Sequence, residues 1–319
     1  MSQANVTQTL EQMYAASLLS YKLYMAIGGI AIFTNIVIVI IFSSSSDLRV
    51  KYQLLIALAI GELINGVAFV VAGVTKQRLI LSMTNNTVTM WPAWSCATEW
   101  YPGLLLLGAQ WPACVTLFLG IERFAAVHFP VWYKVNMRAS ARFKMIVISV
   151  VFALVSLGIA YAQTYLFFRN DLTTFLCSLT GVYGTYYVAW NFIVTIFGYL
   201  FSFMLNASAF LSAKSKSRLI NSGLNAEMGK EITLVRLMLS ISFFSNLLVS
   251  IPNLILWGQG KFWSFSSSAL GQLYVSFCGS SVINIFIISS STRTFARSYF
   301  ALSLMVYGQS LVYQLSMRL

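Results

Sequence analysis

Seven separate apolar stretches, each long enough to cross a bilayer, run through these 319 residues. A span takes roughly 20 predominantly apolar residues. The stretches cover 23–42, 52–74, 100–121, 145–168, 183–213, 237–257 and 268–290. In hydrocarbon every backbone N–H and C=O must find its partner inside the protein, so segments of this length are expected as helices. Composition points the same way: 58% of residues are hydrophobic and 9% are charged, against roughly 25% charged in ordinary soluble domains. Such a chain cannot cover a surface that faces water. The expected fold is an all-α membrane protein, a seven-transmembrane helix bundle. No Gly/Ser or Pro linker separates a second domain. The bundle is expected over 22–292, between an extracellular N-terminal segment (1–21) and a cytoplasmic tail (293–319). No cleavable leader is expected, because 1–21 lacks a basic stretch followed by an apolar core.

Charge sets the orientation. The net charge of +12 could speak for nucleic acid, but the basic residues sit between the spans, where anionic headgroups are the better partner. Placing the N-terminus outside puts fifteen of the 20 Lys and Arg on the inner side, including Arg49, Lys51, Lys134, Arg138, Arg142 and Lys144. The positive-inside rule therefore predicts the N-terminus outside and the C-terminus inside. Two glycosylation sequons, at Asn5 and Asn85, fall on the predicted outer side, and a third, at Asn206, falls within a span. The uncharged, apolar segment 298–317 is expected as an amphipathic helix on the inner leaflet. An eighth span is its alternative.

Of the four cysteines, Cys114 and Cys278 fall inside spans. That leaves Cys96 and Cys177 at the outer loops, where an oxidising compartment would join them.

Polar residues within the spans carry the chemistry. Glu62 is the one carboxylate deep in a stretch, and a buried acid must be protonated, paired or bound to a cation. Its expected neighbours are Asn35, Ser281 and Asn284, as a working site or as a tie between helices. Glu122 and Arg123 close the third stretch, where charge is costly unless it has a purpose. Snorkelling to the interface is the plain alternative. Pro252 lies inside the sixth stretch and should kink it. Tyr101-Pro102 and Trp111-Pro112 should bend the third. Catalysis finds no support. The lone histidine, His128, is expected in an inner loop, no His/Cys set suits a metal, and no cofactor is expected. A pair of intramembrane acids and a lysine in the last stretch are both missing.

Taken together these residues resemble the rhodopsin-like (class A) G-protein-coupled receptors. Thr34-Asn35 resembles the first-span Gly-Asn, and Leu58-Ala59-x-x-Glu62 resembles Leu-Ala-x-x-Asp. Glu122-Arg123-Phe124 resembles Asp/Glu-Arg-Tyr, and Pro252 the sixth-span proline. Asn284 stands as in Asn-Pro-x-x-Tyr, and Phe295 as the residue that opens helix eight. Leu48-Arg49-Val50-Lys51 and Phe129-Pro130-Val131-Trp132-Tyr133 are most similar to the nematode serpentine chemoreceptors, of the srsx-like group. Departures are Ile285 and Ile288 in the seventh-span motif, Ser250 for the sixth-span Trp, and Pro112 for the serine of a sodium site. They weaken the expectation of a sodium site and of the tyrosine switch.

The resemblance implies a receptor whose inner face opens around Arg123. Glu122, Phe124, Pro130, Tyr133 and Glu231 would take part in the switch. Its partners would be a heterotrimeric G protein, a small-molecule ligand and the lipid bilayer of the plasma membrane, with a receptor dimer left open. The ligand pocket is expected at Leu105, Gln110, Tyr187, Trp190, Asn191, Asn253, Trp257 and Gln272. Leu105 stands where amine receptors carry an aspartate, so a small neutral or weakly polar ligand is expected. Two rivals are a seven-span ligand-gated channel of inverted topology and a small carrier with Glu62 as coupling acid. Charge bias argues against the first, and the lack of a visible repeat argues against the second.

Overall fold

The computed structural model describes residues 3–81, 90–174, 176–219 and 225–258, together with 262, 276, 279, 280 and 282–284; side chains are described from 17 onward and not over 217–231. Six of its helices are long and apolar enough to cross a membrane. The chain is a multi-pass helical membrane protein. The seventh stretch and the tail lie outside the described residues, apart from the few positions just named, and so do Ser281, Gln272, Asn85 and Phe295.

The spanning helices are α1 (Gln3–Ser43), α3 (Gln53–Leu81), α5 (Trp100–His128), α7 (Ala139–Phe167), α8 (Leu179–Leu219) and α9 (Asn225–Ser245). Short helices join them: α2 (Ser46–Lys51), α4 (Ala93–Ala97) and α6 (Pro130–Asn136). A π-helical turn, Asn246–Ser250, carries α9 into α10 (Ile251–Gly258). Helix α1 packs on α3, α3 on α5, α5 on α8, and α8 on α9. That order makes α5 the axis of the bundle.

Several helices outrun their apolar stretches. α1 already runs from Gln3, so the expected N-terminal segment 1–21 is largely helical, and its membrane-length part begins at Ser17. α3 continues past 74 to Leu81 through Thr75-Lys76-Gln77-Arg78, and α5 continues past 121 to His128. Apolarity marks where lipid is; a helix stops only where its backbone hydrogen bonds stop. His128 is accordingly the last residue of α5 and not a loop residue.

α7 shows how a spanning helix chooses its face. Its buried residues are Ser149, Ala153, Ser156, Ala160 and Thr164. Their spacing of three or four puts these small side chains on one stripe against the bundle. Small residues let backbones approach where lipid supplies no hydrophobic drive between helices. The large residues Phe143, Ile148, Val151, Leu154, Val155, Ile159 and Leu166 face outward. Helices α3 and α5 meet as closely: a Cβ on Gly108 would stand 2.7 Å from the Asn65 Cα.

One small sheet departs from an all-helical expectation. β1 (Met90–Pro92) pairs antiparallel with β2 (Leu172–Thr174), in the register Met90 to Thr174 and Pro92 to Leu172. Beside it Cys96 and Cys177 form a disulfide across 81 residues of sequence. This long-range strand pair and the disulfide tie the segment before α8 to the segment that leads through α4 into α5. Cys177 takes a left-handed backbone, φ 47°, which a non-glycine residue adopts only when its surroundings hold it there. The core splits accordingly. Leu54, Leu58, Leu119 and Ile241 fill the Arg123 end, and Tyr101, Val182, Tyr183 and Tyr187 fill the disulfide end.

Candidate functional site

At the Arg123 end, one carboxylate gathers two guanidinium groups. Glu122 and Arg123 are 2% and 5% exposed, so neither charge has bulk water to stabilise it. Neighbours on a helix point apart, yet both side chains are long, and Arg123 Nη2 reaches Glu122 Oε2 at 2.9 Å. The other carboxylate oxygen, Oε1, accepts from Arg142 Nε of α7 at 2.7 Å and from the Tyr133 hydroxyl of α6 at 3.0 Å. Arg142 Nη2 also donates to the Tyr133 oxygen at 2.9 Å, and Arg142 Nη1 to the Val50 carbonyl in α2 at 3.3 Å. Tyr133 is thus donor to the acid and acceptor from the arginine. Burial lifts its phenol above the ordinary range, which keeps the donating proton in place.

α6 exists because Pro130 starts it. Its fixed φ suits the first turn of a helix, and that turn places Tyr133 one turn on, facing Glu122. Phe124 stacks on His128 with ring centroids 4.1 Å apart. His128 Nδ1 lies 3.2 Å from the Phe124 carbonyl and so carries the proton, leaving Nε2 to accept from Ser212 of α8 at 3.0 Å. Lys216 donates to the Val127 carbonyl at 2.8 Å, a second tie from α8 to the end of α5. The side chain of Glu231 lies outside the described residues. Arg142 is the residue that sequence reasoning missed. Along the chain it is one of several inner basic residues, and nothing there distinguishes it from Arg138 or Lys144.

The middle of the bundle holds a cavity of about 180 Å³. Glu62, Asn65, Pro112 and Tyr199 line it at mid-depth, and Lys76, Cys177 and Ser178 line it toward the disulfide end. Glu62 is 4% exposed and accepts from Asn284 Nδ2 at 2.9 Å. Asn35 does not join that bond. Its amide donates to the Ala31 carbonyl of its own helix at 2.9 Å, because a short amide on α1 reaches its own preceding turn more readily than α3. Ser280, next to the expected Ser281, lines the cavity instead.

The expected pocket residues divide. Leu105, Asn191 and Asn253 line the cavity. Gln110 stands behind it, donating to Asn191 Oδ1 at 3.0 Å and to the Tyr187 hydroxyl at 3.3 Å. Tyr187 in turn donates to the Ser156 carbonyl at 2.9 Å, and Trp190 Nε1 to the Ser156 hydroxyl at 3.2 Å. Both therefore cross-link α7 to α8 and border an outward-facing groove, with Trp190 44% exposed. Neither is among the described residues that line the central cavity. Their amphipathic rings satisfy buried polar groups of neighbouring helices, a use that residue type alone does not distinguish from ligand binding. Trp257 is also absent from the lining. Asn206, the sequon within a span, is buried and donates to Ser202 and Ser242. The side chain of Asn5 lies outside the described residues.

Pro252 is buried at the start of α10, directly after the π-helical turn. A proline and a π-turn are two of the recognised causes of a helix kink, and here they adjoin. The missing N–H of Pro252 withdraws a donor from the Leu248 carbonyl. The Ser276 hydroxyl donates there at 2.9 Å and restores it. No group of three or more His, Cys, Asp or Glu able to hold a metal occurs among the described residues.

No protein-family model matches the chain, and no curated protein matches it by sequence.

Proposed function

We propose that this chain is a G-protein-coupled receptor of the plasma membrane, with its N-terminus outside, that responds to a small ligand in the central cavity. The observation that carries the reading is the Glu122 cluster. A buried acid–arginine pair closes a spanning helix, and the acid is held from two neighbouring segments, α6 and α7. One carboxylate facing two guanidinium groups leaves an excess positive charge that a partner could take up when the helices part. A ligand shifts such an equilibrium only by its differential affinity for the open form. Arg123 would then swing free toward a G-protein α-subunit, and the basic inner segments would hold the partner at the anionic leaflet. The seventh span, an inner helix eight, glycans at Asn5 and Asn85 and a chemosensory role belong to the same reading.

Ligand-free signalling tests it, because no agonist need be known. Glu122→Gln removes the charge that both arginines share. At equal surface level, basal nucleotide exchange over a panel of Gα subunits should rise about tenfold, the equivalent of losing one charge-assisted bond. Arg123→Ala should abolish exchange. A Glu122→Gln variant as silent as wild type across the panel would refute the receptor reading. The carrier reading keeps one observation in its favour, since Glu62 faces the cavity; uptake that is lost in Glu62→Gln would decide for it.

A further inference from the structure

The cavity carries a cation that no acid answers among the described residues. Lys76 lies on α3, five residues before its end, where a lysine could simply reach out to the interface. It turns inward instead. Its Nζ sits 5.8 Å from the ring centre of Tyr21 on α1 and 5.3 Å from that of Tyr101 on α5. Those rings are buried, at 8% and 1% exposure, and they hold the ammonium of the half-buried lysine against the cavity wall. Among the described residues the ion pairs are those of Glu122 with Arg123 and Arg142, and Lys76 has none. Aromatic faces return only about 0.5–2 kcal/mol to a cation, less than an ammonium loses on leaving water. The cavity thus has room for a counter-charge beside Lys76 and a reason to take one.

The rest of the wall limits what that counter-charge can belong to. Glu62 lines the same cavity fourteen positions back along α3, about 21 Å away at 1.5 Å per residue. The two groups thus stand about four turns apart on one helix, and the Glu62 carboxylate already accepts from Asn284 at 2.9 Å. Between them the wall is mainly apolar, with Tyr24, Phe69, Leu105 and Phe192, and it carries the neutral amides of Asn65, Asn191 and Asn253. Leu105, where an amine receptor would need an acid, offers nothing to a cationic head.

Building on the reading of this cavity as the ligand site, we infer that its ligand is a small organic monocarboxylate, its carboxylate against Lys76 and its apolar body directed toward Leu105 and Phe192. This ligand is anionic, where the sequence points to a small neutral or weakly polar one. The shared chemistry is a carboxylate on a hydrocarbon body, whether the acid arrives from water or from the bilayer.

The test is direct binding to the full chain in nanodiscs by calorimetry, with butyrate, hexanoate and octanoate, their matched primary alcohols and their matched primary amines. The acids should bind, and the alcohols and amines should bind at least about tenfold more weakly. Lys76→Met should weaken the acids about tenfold to a hundredfold, the value of a charge-assisted hydrogen bond, and leave the alcohols unchanged. Lys76→Arg should retain the acids. If Lys76→Met does not fold, Lys76→Gln serves in its place. Alcohols that bind as well as acids, acids that ignore the loss of the ammonium, or no acid binding to wild type would each overturn the inference. Binding from butyrate upward would mark an acid taken from water, and binding of octanoate alone one taken from the bilayer. The measurement involves no G protein. Acid binding that depends on Lys76, with Glu122→Gln silent, would leave this inference standing and remove the receptor reading. The converse result would remove only this one.

Discussion

At the scale of single residues, Glu122 is balanced by more than its neighbour. Arg123 alone would give a local pair that a rotamer change could break. Arg142 and Tyr133 make the carboxylate the meeting point of α5, α6 and α7. Breaking a buried pair from one side leaves a charge without compensation, which costs more than the pair is worth. Arg142→Ala should therefore raise ligand-free signalling about as far as Glu122→Gln, roughly tenfold for one charge-assisted bond. Arg142→Lys should fall between, because an ammonium is a point donor without the planar fork that reaches both Glu122 and Tyr133. A cell reporter at matched surface expression checks both, and an Arg142→Ala variant with unchanged basal signal would leave Arg123 as the sole lock. Sequence made Glu122 and Arg123 visible through adjacency. Arg142 lies twenty positions away on another helix, and only packing brings it in.

At the scale of the element, α8 carries a break that its composition conceals. Gly184 has φ 77° and ψ 160°, a conformation open to glycine and strained for any other residue. A Cβ there would also stand 2.8 Å from the Phe168 ring at the end of α7. The helix changes direction at that point, so Val182 and Tyr183 pack inward before the long apolar run begins. Gly184→Ala should cost about 1–3 kcal/mol, the usual penalty for forced backbone. It should lower the melting temperature of the purified protein by several degrees; an unchanged melting curve would mean the turn relaxes freely. Pro252 is the contrasting case. A proline announces its kink in the sequence, whereas the π-helical turn before it and the Ser276 hydroxyl that repairs it do not.

At the scale of the whole molecule, two ends of one bundle are held by different means. The Arg123 end is closed by charge, which a shift in helix position can undo. The disulfide end is closed covalently, by Cys96–Cys177 and the β1–β2 pair. This asymmetry suits a molecule that keeps its cavity roofed while its other end moves. By loop-closure entropy a cross-link that closes a loop of 81 residues is worth up to about 4.5 kcal/mol. Cys96→Ser, Cys177→Ser and the double variant should therefore lose similar stability, and a double variant clearly worse than either single would contradict a shared bond. Taken alone, the sequence determined the membrane class, six of the helices to within a turn or two at most ends, and the special standing of Glu62, Glu122, Arg123 and Pro252. Apolar length and buried charge are local properties, and lipid penalises both without regard to the fold. Tertiary structure decided which polar side chains face the central cavity and which tie one helix to another. It moved Tyr187 and Trp190 into a cross-link, turned Asn35 back on its own helix, and aimed Lys76 at the cavity. The physical reason is that a tyrosine, an asparagine or a lysine near a helix end is satisfied by whichever partner packing supplies, and that partner comes from another part of the chain.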